Sequence, residues 1–280
     1  MHPQPPPQQQ QPQKMPIPGV QYLVAVGSGK GGVGKTTVSV NLAIALATIG
    51  QRVGLLDADV YGPNVPLMFG VESKAFTNIQ NNIEPIPKFG VKLMSMGFLT
   101  AERDKPLIWR GPMLHQVMQQ FLRNVEWGEL DYLIIDLPPG TGDVALSLIQ
   151  TAPLSGAVIV TTPSDVSLED ARKAVNMFKQ VRVPILGLVE NMSFLIAPGS
   201  GERIDVFGHG GGKRTAEEMD IPFLGELALD PHVRIGGDTG APVTTIRDNP
   251  HSEPFLQLAM RVDESCRQTQ TAAPSLTIED

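Results

Sequence analysis

Short runs of apolar residues alternate along this chain with longer stretches in which apolar positions recur at helical spacing. The short runs carry β-branched residues and little polar interruption, which is typical of strands buried on both faces. The predicted strands are 22–26, 53–56, 91–96, 132–135, 157–161 and 185–189, and the predicted helices include 38–49, 113–124, 144–150, 168–181 and 213–220. This alternation predicts an α/β fold with a mostly parallel sheet covered by helices on both faces.

Ligands of such sheets bind beyond the carboxyl ends of the strands, so the residues that follow each strand matter most. The first strand is followed by Gly29-Lys30-Gly31-Gly32-Val33-Gly34-Lys35-Thr36-Thr37. Two glycines around four residues, then Lys and Thr, is the spacing of a phosphate loop. Its glycines let backbone N–H groups turn toward phosphates, Lys35 neutralises charge, and Thr36 offers a hydroxyl to Mg²⁺. With a strand before it and a helix after it, this stretch predicts a nucleotide-binding loop.

Acidic residues follow two other predicted strands. Asp57 and Asp59 come after 53–56, and two carboxylates one residue apart beside a phosphate loop suit Mg²⁺ and water. Turn capping is the alternative role for such a pair. Asp136 comes after 132–135, the pattern for holding a magnesium-bound water opposite the Thr of the phosphate loop. Three strand ends thus predict a phosphate cradle with acidic metal groups.

Composition limits the remaining classes of function. The chain has 280 residues, of which 41% are hydrophobic, enough for one domain over 19–267. We expect a disordered Pro/Gln-rich tail at 1–18 and a flexible tail at 268–280. A net charge of −7 without a basic cluster argues against a nucleic-acid surface, and one cysteine excludes an internal disulfide framework. With no apolar stretch long enough to span a bilayer, we expect a cytoplasmic protein without a membrane partner.

The phosphate loop has a second lysine, Lys30, directly after its first glycine. Lys-Gly-Gly-x-Gly-Lys-Thr-Thr resembles the deviant Walker A loop of the nitrogenase iron protein and the MinD/ParA class. Further segments resemble the Mrp/ApbC family of P-loop ATPases, which carry and deliver iron–sulfur clusters, and the resemblance covers about 22–260. These segments are Ile-Trp-Arg-Gly-Pro-Met at 108–113, Trp-Gly-Glu-Leu-Asp-Tyr at 127–132, Asp-Leu-Pro-Pro-Gly-Thr-Gly-Asp at 136–143 and Phe-Gly-His-Gly-Gly-Gly at 207–212.

The resemblance implies an ATPase that binds ATP and Mg²⁺ and works as a homodimer. Lys30 would reach across the dimer interface to the partner's nucleotide, and Lys35 would act on the phosphates. Asp59 would position the attacking water or a magnesium-bound water, while Thr36 and Asp136 complete the metal site. Asn191, after the strand 185–189, would read adenine, because an amide carries the donor and acceptor that match its edge. We also expect 222–230 to close that base pocket.

One departure from the family concerns its cluster-binding motif, Cys-Pro-x-Cys. The corresponding residues here are Ala197-Pro198-Gly199-Ser200. Alanine has no ligand atom, and a serine hydroxyl is a poor substitute for thiolate toward iron. Other ligands would have to come from Cys266 of each protomer, from His209 or from a partner. We expect Cys266 to be an ordinary cysteine on a C-terminal helix and His209 to be a loop or interface residue.

Two hypotheses follow from this pattern. The first is an ATP-hydrolysing homodimer that acts in delivery of iron–sulfur clusters to apoprotein clients, alone or with a cluster-bearing partner. The second is an ATP-dependent interaction switch that grips and releases a client protein without carrying a cluster. An inactive nucleotide-binding scaffold is disfavoured, because the lysines, the threonine and both aspartates of the predicted site are all present.

Overall fold

The computed structural model describes residues 15–72, 76–77, 82–99 and 111–272. Most of the predicted N-terminal tail, the end of the C-terminal tail and residues 108–110 of the family segment 108–113 lie outside these ranges. No helix in the described part of the chain combines the length and hydrophobicity needed to cross a bilayer.

Twelve strands and eight helices make up the described fold. The strands are β1 (Val20–Ser28), β2 (Val53–Asp57), β3 (Phe76–Thr77), β4 (Ile83–Glu84), β5 (Ile86–Lys88), β6 (Val91–Ser95), β7 (Leu130–Asp136), β8 (Gly156–Thr161), β9 (Ile185–Glu190), β10 (Leu195–Ile196), β11 (Arg203–Ile204) and β12 (Phe223–Glu226). The helices are α1 (Lys35–Thr48), α2 (Val65–Met68), α3 (Gly111–Arg123), α4 (Asp143–Thr151), α5 (Asp165–Gln180), α6 (Gly211–Glu218), α7 (Pro231–Asp238) and α8 (Glu253–Ala272).

Eight strands form one sheet in the order β12-β9-β8-β1-β7-β2-β6-β5. Every pairing in it is parallel except that of the edge strand β5 with β6. The carboxyl ends of β1, β2 and β7 therefore meet at one edge, and Asp57 is the register partner of Asp136 there. This confirms the predicted mostly parallel sheet.

The central strands are buried on both faces, as their unbroken apolar sequences predicted. In β1, Tyr22, Val24 and Val26 pack into one core, while Leu23 and Ala25 pack into the core on the opposite face. Helices α1 and α8 contribute to the first core, and α3, α4 and α5 contribute to the second. Burial on both faces removes the polar/apolar alternation that a half-exposed strand would show.

Strands β5 and β12 of the large sheet were not predicted from the sequence. Strand β5 is an edge strand of three residues that contains Pro87, and proline argues against strand structure in a pattern-based reading. Strand β12 is short and contains Gly225 at φ +128°. Both lie at sheet edges, where the tertiary fold rather than the local pattern selects an extended conformation.

The C-terminal boundary also differs from the prediction. Helix α8 continues to Ala272, so residues 268–272 are helical and not part of a flexible tail. The Tyr22 hydroxyl donates a hydrogen bond to Gln270 Oε1 at 2.7 Å, which fixes the end of α8 to the central strand. The polar composition of this segment had suggested a tail, because its contact with β1 is not visible in the local sequence.

Candidate functional site

The phosphate loop connects β1 to α1, as its sequence context predicted. Gly29 lies so close to helix α5 that a Cβ there would stand 2.0 Å from the Asp170 carbonyl oxygen. Gly34 has φ +81°, in the left-handed region, and a Cβ on it would stand 2.2 Å from Asn191 Nδ2. Glycine is therefore required at both positions by close packing, and at Gly34 also by backbone conformation.

Asp136, at the carboxyl end of β7, joins the loop to the sheet. Its buried carboxylate accepts hydrogen bonds from Lys35 Nζ at 2.8 Å, from Thr36 Oγ1 at 2.8 Å and from Ser39 Oγ at 2.6 Å. Lys35 and Asp136 form a buried ion pair, side-chain exposure 6% and 0%. Lys35 and Thr36, which are predicted to bind phosphate and metal, thus both contact Asp136, the carboxylate predicted to act with them.

The two aspartates after β2 occupy different environments. Asp57 is fully buried and accepts hydrogen bonds from Ser95 Oγ at 2.9 Å and from the backbone N–H of Val65 at 3.2 Å. Burial, together with the negative charge of Asp136, raises the pKa of Asp57 to about 8. A carboxyl group bonded in this way is positioned to organise the loop rather than to contact a ligand.

Asp59 lies nearer the surface than Asp57. Its Oδ1 accepts the N–H groups of Tyr61 and Gly62 at 3.0 and 3.2 Å, so Asp59 does cap a turn, the alternative that the sequence left open. No described residue donates to its Oδ2. Burial raises its pKa, while the nearby Lys35 opposes that shift. Turn capping and contact with a ligand are compatible, because each uses a different oxygen.

Oxygen donors dominate this edge of the sheet. The Thr36 hydroxyl and the Asp59 and Asp136 carboxylates are hard ligands of the kind that Mg²⁺ selects, and the structure places the first and last in direct contact. The donor set therefore fits Mg²⁺, either directly or through bound water.

Asn191, just after β9, lies against the phosphate loop. Its Nδ2 donates to the Val33 carbonyl oxygen at 2.8 Å, and its side chain is buried. Its Oδ1 accepts no hydrogen bond from the described residues. Asn191, the residue predicted to bind adenine, thus lies beside the phosphate loop, and its Nδ2 group is hydrogen-bonded to the loop backbone.

Lys30 lies within the phosphate loop and Gly140 lies after β7, and both contact Ser28 at the end of β1. Lys30 is half-buried, and within the described residues it forms no ion pair. Gly140, in the family segment 136–143, has φ +86° and donates its N–H to the Ser28 carbonyl oxygen at 3.0 Å. That amide would have to leave Ser28 before it could contact a phosphate.

Two serines of this site were missed at the sequence level. Ser39 lies one helical turn after Lys35 and bonds Asp136, while Ser95 ends β6 and bonds Asp57. The i, i+4 spacing of Lys35 and Ser39 in an otherwise apolar helix was a usable signal. Ser95 had no such signal, because only the pairing of β6 with β2 brings it to Asp57.

Strands β10 and β11 form a small antiparallel hairpin, the 195–204 hairpin, whose tip holds Ala197 and Ser200. Ala197 N–H bonds the Glu202 carbonyl at 2.8 Å, and most of the tip is exposed. Arg203 anchors the hairpin through Glu226 Oε2 at 3.1 Å. The segment that corresponds to the family's Cys-Pro-x-Cys motif thus forms the tip of a folded hairpin, and it has no thiol groups.

Of the two other ligand candidates, His209 lies beside this hairpin and Cys266 does not. Cys266 is 2% exposed within the core between α8 and the sheet, and burial raises the pKa of its thiol to about 12. This matches the expectation of an ordinary structural cysteine. His209 is exposed, with Nδ1 3.6 Å from Asp205 Oδ2 and 3.2 Å from Arg203. Neither arrangement provides a thiolate at the surface.

Comparison with known proteins agrees with this geometry. The ParA family model, described as NUBPL iron-transfer P-loop NTPase, matches residues 19–263. An iron-sulfur cluster carrier protein of Synechocystis sp. is 51% identical over 230 residues, covering 80% of this chain and 65% of that protein. The iron-sulfur cluster transfer protein NUBPL of Dictyostelium discoideum is 46% identical over 247 residues, covering 87% and 76%. The chain thus spans about two thirds to three quarters of the length of these relatives.

Solved structures show the same fold. A nucleotide-binding protein of Archaeoglobus fulgidus, in complex with ADP and with cobalt detected, superposes with a TM-score of 0.72 at 38% identity, covering 84% of this chain and 94% of that one. The septum site-determining protein MinD of Pyrococcus horikoshii, complexed with Mg-ADP, gives 0.68 at 25% identity, covering 89% and 98%.

Proposed function

This chain belongs to the ParA-type family of NUBPL iron-transfer P-loop NTPases, and on that premise we propose that it is a magnesium-dependent ATPase. It acts as a homodimer in the delivery of iron–sulfur clusters to apoprotein clients. The observation that carries the proposal is the contact of Lys35, Thr36 and Ser39 with Asp136, which assembles a phosphate-binding lysine and oxygen ligands for a cation at one point. The relatives' names and the ADP of the Archaeoglobus structure support the nucleotide and the cargo.

The proposed chemistry is hydrolysis of the bond between the β- and γ-phosphates, with water as the attacking group. Lys35 exchanges its contact with Asp136 for the phosphates, and backbone N–H groups of residues 29–37 surround them. Thr36, Asp59 and Asp136 would hold Mg²⁺ directly or through water, and the ion would supply positive charge to the phosphate oxygens. Asp59 orients the attacking water through its Oδ2, and Asn191 contacts the base.

Lys30 is proposed to act in the partner's site, which a mixing experiment tests. Lys30→Ala should bind ATP nearly normally yet lose hydrolysis, and so should Asp59→Ala. In a mixed dimer, one site combines an intact Asp59 with the partner's intact Lys30. Random pairing of equal amounts should then restore about a quarter of wild-type turnover, since half of the dimers are mixed and each has one complete site.

A matched control separates action in trans from general damage. Lys88→Ala removes a lysine from the remote edge strand β5 and should leave turnover unchanged on its own. Mixed in equal amounts with Asp59→Ala, it should give about half of wild-type turnover, as wild-type protein would in the same mixture. Mixtures shown to contain mixed dimers but lacking any recovered activity would contradict the proposed role of Lys30.

The hairpin favours a second candidate function, an ATP-dependent interaction switch that grips a client without carrying a cluster. Its tip supplies Ala197 and Ser200 where the family has thiolates, and the one cysteine of the chain is buried with a raised thiol pKa. In the first candidate, the cluster would be held by a partner or client rather than by this chain.

Anaerobic reconstitution with iron and sulfide tests whether this chain itself holds a cluster. We expect wild-type protein to acquire no stable cluster, and Ala197→Cys/Ser200→Cys to acquire one that joins two protomers through four thiolates. Glu253→Cys/Gln257→Cys, an exposed pair one turn apart on α8, is the control for added thiols. A stable cluster on the wild-type protein would rule out the switch without a cluster.

A further inference from the structure

Three side chains with metal-binding atoms converge away from the phosphate loop. Asp230 precedes α7, His232 lies in its first turn, and His251 lies in the loop before α8. One ligand atom from each lies within 4.8 Å of the other two. The two histidines lie outside every segment assigned to the proposed ATPase chemistry, and Asp230 is the last residue of the segment 222–230 that is expected to close its base pocket.

Both imidazole rings aim the same nitrogen at one carboxylate. His232 Nδ1 is 3.0 Å from Asp230 Oδ1, and His251 Nδ1 is hydrogen-bonded to Asp230 Oδ2. The rings stack with centroids 4.0 Å apart. Two imidazole nitrogens thus meet the two oxygens of one carboxylate.

Helix capping accounts for only part of this arrangement. Asp230 Oδ1 also accepts the His232 backbone N–H at 2.8 Å, which is the N-cap contact of α7. An N-cap aspartate needs no histidine side chain, and His251 comes from a different segment of the chain. The convergence of two histidines on the capping carboxylate is the feature that requires a separate explanation.

We propose that Asp230, His232 and His251 form a zinc site. Two neutral imidazole nitrogens and one carboxylate oxygen are a ligand set that Zn²⁺ accepts in sites with three protein ligands and water. Ligand atoms of a tetrahedral zinc ion stand roughly 3.3–3.5 Å apart, so the two hydrogen-bonded nitrogen–oxygen pairs must separate by small shifts to admit the ion. His232 can supply them, since its side chain is 64% exposed.

The exposures of the three ligands indicate how the site opens. Asp230 is 17% exposed and His251 33% exposed, so the inner side of the site is closed by protein and the outer side faces solvent. The solvent-facing side would leave the fourth coordination position to water. The ion links the start of α7 to the loop that leads into α8, the helix packed with α1 in one core. Bound zinc therefore stabilises the docking of the C-terminal helix.

Zinc binding to the untagged full chain provides the test. The titration uses Zn²⁺ alone as the probe, without nucleotide and with excess Mg²⁺ present to occupy the carboxylates beside the phosphate loop. We expect saturable binding of one zinc ion per chain and a rise in the melting temperature, because a ligand that binds the folded state stabilises it.

Substitutions of each ligand make the assignment specific. His232→Ala and His251→Ala should each weaken zinc binding at least about tenfold and abolish the rise in melting temperature. Asp230→Asn should do the same while keeping the helix cap, because asparagine caps as well as aspartate. His209→Ala is the matched control, since it removes an exposed histidine that faces a single carboxylate, and it should leave zinc binding unchanged.

Two outcomes would overturn the zinc site. One is the absence of saturable zinc binding by the wild-type chain. The other is an equal loss of binding in His209→Ala and His251→Ala, which would indicate nonspecific binding to surface histidines. His232→Ala keeps the test decisive if His251→Ala fails to fold, because His232 is exposed.

Discussion

Two regions that follow strands of the same sheet are built differently. One is the nucleotide edge, the carboxyl end of the sheet with Lys35, Asp59 and Asp136, and the other is the 195–204 hairpin. At the nucleotide edge, Lys35, Asp57 and Asp136 are buried, Lys35 donates a hydrogen bond to Asp136, and Ser95 donates one to Asp57. At the hairpin, two short strands pair antiparallel, and the tip with Ser200 is exposed. Arg203 of the hairpin bonds Glu226 of β12, and its guanidinium also stacks on the Phe194 ring at 4.1 Å.

This difference shows where the chain can change its chemistry without losing its fold. A substitution at the edge breaks buried ionic contacts, and such losses are costly because the partner is left unpaired. A substitution at the hairpin tip alters exposed groups, where effects on stability are usually small. The absence of the family's thiols at 197 and 200 is therefore compatible with an intact nucleotide edge.

The largest effect should come from Asp59→Asn at the edge. Loss of a group that orients water typically lowers rates about 10²–10⁴-fold, so ATP turnover should fall on that scale with ATP affinity within a few-fold. Steady-state kinetics with parallel calorimetry measures both. Ser200→Ala in the hairpin is the comparison and should leave turnover unchanged. Equal turnover in Asp59→Asn and wild type would remove the proposed role of Asp59.

Lys35→Ala should act on binding instead. A charge-assisted hydrogen bond to phosphate contributes about 1.5–3 kcal/mol, so ATP affinity should fall at least about tenfold. The substitution also leaves Asp136 buried without its cation, so unfolding should occur at lower denaturant concentration. Calorimetric titration with ATP measures the first effect. An unchanged affinity would contradict the phosphate-loop assignment of Lys35.

A matched pair of glycines isolates packing from backbone strain. Gly34 and Gly199 both have positive φ, +81° and +92°, but a Cβ at Gly34 would meet Asn191, while one at Gly199 would meet no described atom within 4 Å. Replacing either glycine with alanine should lower the free energy of unfolding by about 1–2 kcal/mol, because alanine disfavours the left-handed backbone. In Gly34→Ala, overpacking against Asn191 should lower the free energy of unfolding by about 1–3 kcal/mol more, as chemical denaturation would measure. Equal losses would mean that Asn191 moves aside freely.

The smallest effect concerns Cys266, the thiol that neither region uses. Burial raises its folded-state pKa to about 12 from an ordinary 9.0. The folded state therefore keeps this proton longer than the unfolded state, and stability should fall as pH rises from 9 toward 12. Cys266→Ala should lessen that fall, as denaturation curves across this range would show. Fast alkylation of the native thiol near pH 8 would contradict its burial.

Local sequence was sufficient for the phosphate loop and the central strands. The glycine and lysine spacing, the apolar runs and the aspartates after them are each encoded within about ten residues, and the parallel sheet follows from their alternation with helices. The edge strand β5 and the end of α8 were not predicted correctly, because Pro87 and the polar residues near Gln270 suggest loops when their tertiary contacts are unknown.

The sequence by itself determined the family resemblance, the phosphate loop and the loss of thiols at 197 and 200. Only the tertiary structure decided that Asp136 meets Lys35 across 101 residues, that Asn191 bonds Val33 across 158, and that His251 joins Asp230. Such contacts depend on the order in which strands enter the sheet, with β1 between β7 and β8. Strand order is fixed by how the whole core packs, and no local periodicity specifies it.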